Sequence, residues 1–154
     1  MATLKYDDIF NLFLGSIRDY EFCNLNEVAR NECLVEWLHA SLANPYISRL
    51  FTLLDSDDTT QILSYELEKP SQKTKIDKDF VISIFAKQMV YQWLNPKINN
   101  TVNLSQAFLS NSDSKFYAQS NQINSILNVC ENADLEVRRM IRDRGYINNS
   151  YLDD

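Results

Sequence analysis

Only two glycines, Gly15 and Gly145, and three prolines, Pro45, Pro70 and Pro96, occur in 154 residues. Glycine supplies the positive-φ corners of tight turns and lets a backbone come close to a phosphate. Its scarcity removes glycine-rich phosphate cradles and all-β folds built on many tight glycine turns. Asparagines such as Asn99, Asn100, Asn148 and Asn149 are left to supply turns and helix caps.

The apolar spacing fits a chain with few corners. Over residues 3–19, Tyr6, Ile9, Phe10, Phe13 and Ile17 recur at three and four residues, which predicts a helix. A second helix is expected to start at Asn24 or Asn26 and to carry Leu34, Trp37, Leu38 and Leu42 inward until Pro45 ends or kinks it. Asp55 to Thr60 reads as a turn, and residues 61–68 alternate as a strand does. We therefore expect a small hairpin of residues 50–54 and 62–67. Asp77 and Asp79 open a third helix, with Phe80, Ile84, Phe85, Met89 and Trp93 on its apolar face and an end near Pro96. A short helix over 102–109 and a turn over 110–113 follow. A long last helix over 114–144 carries Phe116, Ile123, Leu127, Cys130, Val137 and Ile141, with Gly145 as its left-handed cap. The fold expected is mainly α: a helical bundle of about five helices, a small β-hairpin insertion and a long C-terminal helix. Residues 1–145 read as one domain and 146–154 as a flexible tail. The expected core includes Phe13, Trp37, Phe85, Trp93 and Leu127.

Hydrophobic residues at 45% are enough for a core, and a net charge of −6 repels nucleic acid and anionic membrane as a whole. Three cysteines, Cys23, Cys33 and Cys130, have no repeated spacing and suggest reduced thiols in a cytoplasm rather than a disulfide framework. Cys33 and Cys130 fall on apolar faces. No signal peptide or membrane span is expected.

Residue supply argues against catalysis. His39 is the only histidine, so it is the sole base available for a histidine-dependent triad, and multi-histidine metal sites are excluded. Asp55, Asp57, Thr59, Ile62 and Glu66 fit positions of a calcium loop, but Thr60 stands where the loop needs glycine and Pro70 interrupts the exit helix. No metal, cofactor or enzymatic activity is expected. Arg138, Arg139, Arg142 and Arg144 form the strongest cationic cluster, with Asp134 one turn before Arg138. Arg138, Arg139 and Arg142, the acids Asp55, Asp57 and Asp58, and Tyr151 are candidates for a subunit or partner interface. Tyr46, Tyr91 and Tyr117 are candidates for half-exposed contact groups.

Four stretches in order, YDDIFNLFLGSIRDYEF, ECLVEWLHASL, MVYQWLNPKINN and KFYAQSNQI, resemble small neck proteins of long-tailed bacteriophages, the head–tail connector or adaptor class. The likeness runs from about Tyr6 to Ile141. It implies a structural virion protein that forms a ring, usually of twelve copies, beneath the portal protein. Such a ring extends the DNA channel without binding DNA specifically and receives another neck or tail protein. It implies synthesis in the host cytoplasm and residence in the virion neck. Two alternatives from other classes stay open: a phage tail-completion or assembly-chaperone protein, and a small helical regulator that binds nucleic acid through its arginines.

Overall fold

The computed structural model describes residues 1–17, 19–108 and 113–147. The chain is mainly helical, with a small three-stranded antiparallel sheet. In order, the elements are β1 (Ala2–Lys5), α1 (Tyr6–Ser16), α2 (Tyr20–Cys23), α3 (Glu27–Leu42), α4 (Pro45–Ser48), β2 (Phe51–Asp57), β3 (Ile62–Leu67), α5 (Thr74–Phe108) and α6 (Asp113–Ile147).

The expected hairpin is present as β2 and β3, but β2 runs on through Asp55 and Asp57. The turn is therefore confined to 58–61, where Gln61 takes a positive φ of 54°. The sheet also has a third strand. Residues 2–5 pair with β3 in the register Ala2↔Tyr65 to Lys5↔Ile62, so β3 is central. Periodicity placed Thr3 to Lys5 in the first helix. Only Leu4 of the strand is buried, and so short a segment has no alternation to read. Its partner strand decides its conformation.

Asn26 caps α3 by accepting the Ala29 N–H at 2.8 Å. Pro45 opens the single turn of α4, where its missing N–H costs nothing, and Asn44 accepts the Tyr46 N–H at 2.9 Å. Two expected breaks are corrected. Pro96 does not end the third helix: α5 continues through it to Phe108, absorbing the separate helix expected over 102–109. Proline holds a helical φ and removes one backbone hydrogen bond, and α6 packs along α5 and supports it. Gly145 is not a left-handed cap, because no glycine has positive φ and α6 runs to Ile147. The helix thus extends past the boundary expected at 145. Residues 148–154, including Tyr151, lie outside the described residues.

One cluster of buried side chains joins α1 (Tyr6, Ile9, Phe13), α3 (Leu34, Leu38), β3 (Leu63, Tyr65), α5 (Val81, Ile84, Phe85, Met89) and α6 (Val137, Ile141). Of the five core residues expected, Phe13 and Phe85 are fully buried. Trp37, Trp93 and Leu127 are half-buried, which corrects their assignment. Trp37 lies on the cluster's edge, with ring centroids 5.6 Å from Phe13 and 5.4 Å from Phe22. Trp93 stays near the surface because its indole N–H has a polar partner (described below). Cys130 is buried, Cys33 half-buried and Cys23 exposed. No helix among the described residues is long and apolar enough to cross a membrane.

Candidate functional site

Two acidic residues of the hairpin, Asp57 and Asp58, are engaged by groups of the fold itself. Asp57 folds back on the turn, accepting the Thr59 N–H at 2.9 Å and the Thr60 hydroxyl at 2.7 Å. The Thr60 hydroxyl, with the Thr59 and Thr60 N–H groups, lowers its pKa. Asp58 joins three elements: Oδ1 accepts the Tyr6 hydroxyl at 2.8 Å and lies 2.8 Å from His39 Nε2. The His39 contact and the Tyr6 hydrogen bond lower the Asp58 pKa. Burial, reinforced by Asp58, pushes the Tyr6 phenol up to about 12. The one histidine is thus an exposed brace between α3 and the hairpin. The calcium-loop residues are strung along the two strands: Ile62 faces Asp57, whereas Glu66 faces Leu53, near the other end. Asp55 has no ion pair among the described residues.

The arginines occupy the second half of α6. Arg138 donates to Asp134 Oδ2 at 2.9 Å, one turn back, and lies 4.9 Å from the centre of the Tyr46 ring. Arg49 approaches the same ring at 5.6 Å. Tyr46 is 46% exposed, so this is a solvated cation–π cluster between α4 and α6. Arg142 reaches only the adjacent Asp143, at 3.4 Å, and Arg139 has no ion pair among the described residues. Arg144 differs from the others in the run. It donates to Asp77 Oδ1 at 2.7 Å and to the Lys69 carbonyl at 3.2 Å, with its guanidinium 4.4 Å from the Phe80 ring centre. Burial works against the Asp77 charge, but Arg144 and the Ser71 N–H outweigh it and lower the pKa. The expected interface set is therefore divided: Asp57, Asp58 and Arg138 are engaged within the chain, while Asp55, Arg139 and Arg142 remain on its surface.

Two features had no sequence signal. Asp19 accepts the Trp93 indole N–H at 2.9 Å and the Lys97 ammonium at 2.6 Å, tying the segment before α2 to α5. Burial opposes its charge, yet Lys97, Trp93 and the Phe22 N–H hold its pKa down at about 2. These partners are 74 and 78 residues away, beyond any local pattern. Beside it a groove of about 360 Å³ opens between α1 and α3, with Phe10, Leu14, Ile17, Phe22 and Leu34 as apolar lining and Asp7, Glu27 and Arg30 among its polar residues. Among the described residues, these contacts form surfaces and braces between elements. Compared with known protein families, curated proteins and solved structures, the chain matches none.

Proposed function

We propose that this chain is a structural subunit of a bacteriophage neck, a helical bundle whose copies form a ring linking the portal to the tail and extending the DNA channel. The observation that carries the proposal is the ordered set of four neck-protein-like stretches together with where they fall. They lie mainly on α1, α3, α5 and α6, the four long helices, so the likeness traces the framework of the domain and not its loops. Two surface properties support it. The net charge of −6 suits a channel wall past which DNA must slide without adhering. Arg139 on α6 and Asp55 on β2 remain without ion pairs among the described residues, as head-to-tail contact between neighbours in a ring requires of opposite charges. Imaging of assembled particles tests the proposal, since it yields copy number and neighbours together. The expected result is a ring between portal and tail. Particles that lack this chain and still join heads to tails overturn it.

A further inference from the structure

The outer face of α6 carries acid and base in a fixed order along an exposed stripe. Positions spaced i, i+4, i+7 and i+11 share one stripe of a helix. On α6 they are Glu131, Leu135, Arg138 and Arg142, all exposed, with Leu135 at 48%. Acid leads and base follows along the stripe. Glu131 has no ion pair among the described residues, Arg138 meets Asp134 one turn back and the Tyr46 ring, and Arg142 meets the adjacent Asp143, all at the surface. Beside the stripe runs a groove of about 450 Å³ between α5 and α6, with Tyr91, Ile98, Leu127 and Leu135 in its lining.

We propose that this face docks on the same face of a second copy, with the two α6 helices antiparallel and crossing near Leu135. The argument is charge complementarity. Antiparallel approach sets Glu131 of each copy against Arg138 and Arg142 of the other and brings the two Leu135 side chains together. Parallel approach sets acid against acid and arginine against arginine. The contact is two-fold, so every favourable pairing occurs twice. The flanking apolar groove adds surface that leaves water when the copies meet. A single helix pair buries less than the ~2,000 Å² typical of permanent dimers, so the association is reversible. It does not rest on the neck reading, whose head-to-tail contact is argued from Arg139 and Asp55.

Sedimentation of the full chain tests it, from roughly 10 μM to 1 mM, a range matched to weak interfaces. The expected result is a monomer–dimer equilibrium whose dissociation constant rises about tenfold between low salt and roughly 1 M salt, as screened ion pairs require. Leu135→Asp, at an exposed position, leaves the melting curve of the monomer unchanged and abolishes the dimer. Glu131→Arg and Arg142→Glu each weaken self-association about tenfold, because like charges meet at two symmetric places. Mixed together, the two variants associate more tightly than either does with itself, because Glu131 of one copy again meets Arg138 and Arg142 of the other. A chain that stays monomeric at the highest concentration overturns the proposal. So does a species larger than a dimer, or a dimer indifferent to Leu135→Asp, or two reversal variants that fail to associate when mixed.

Discussion

Gln88 is 1% exposed on α5, and its side-chain oxygen has no hydrogen-bond partner among the described residues. A buried acceptor left unpaired costs ~1–3 kcal/mol, and an apolar replacement of similar shape removes that cost. Gln88→Met is expected to raise stability by about 1 kcal/mol in urea unfolding; a loss of that size would mean the amide is bound by a group it needs. Arg144 and Asp77 have the opposite character. Both side chains are about nine-tenths buried, at 11% and 10% exposure, and each charge is acceptable only because of the other. Arg144→Met strands the carboxylate and is expected to cost about 3 kcal/mol. The surface pair Lys87–Glu136, at 2.7 Å with both side chains nearly half exposed, is the internal comparison. Lys87→Met should change stability by less than about 1 kcal/mol.

At the level of elements, local sequence was a good guide where a segment is long and amphipathic, and a poor one where a distant neighbour decides. The stripes of α1, α3 and the first half of α5 follow from spacing alone, since Ile9, Phe13, Leu38, Ile84 and Phe85 all lie at helical intervals and all are buried. β1 does not, because four residues read as the start of a helix until β3 is there to pair with them. Leu4, 2% exposed, reports on this: Leu4→Ala should cost about 2–4 kcal/mol, far more than a frayed helix start would lose. Pro96 and Gly145 show the converse, since both carry strong stop signals and neither stops its helix. Gly145 has ordinary helical backbone, and a methyl group added there meets nothing within 4 Å. Gly145→Ala is therefore expected to raise the thermal midpoint through ~0.5–1 kcal/mol of helix propensity, whereas a left-handed cap would lose stability on the same change. The candidate surfaces were legible to the same extent. The arginines of α6 stand out as a run, but that Asp58 is committed to Tyr6 and His39 depends on contacts 52 and 19 residues apart.

For the whole molecule, two carboxylates with largely buried side chains, Asp19 and Asp77, join parts of the chain far apart in sequence, and both have lowered pKa values. Asp19 falls from 3.8 to about 2 through Lys97 and Trp93, and Asp77 falls through Arg144. A depressed carboxylate contributes stability that is complete above its unfolded pKa and is lost as pH falls through the folded one. Stability should thus be flat near neutrality and fall from about pH 4 towards pH 2, with Asp19 accounting for roughly 2 kcal/mol. Asp19→Asn should lower stability at pH 7 and flatten that acid slope, as denaturant titrations at several pH values will show. The Asp77–Arg144 pair also bears on how the protein is made. The β1 strand finds its partner in β3, with Ala2 facing Tyr65 and Lys5 facing Ile62, and α6 delivers Val137 and Ile141 to the cluster and Arg144 to Asp77. A ribosome exposes sequence from the N-terminus onward, so nascent chain containing β1 to α5 emerges before the side chains that close it are available. Closure of the core therefore waits for α6, and until α6 has been made the apolar faces of α1, α3 and α5 are what a chaperone would have to cover.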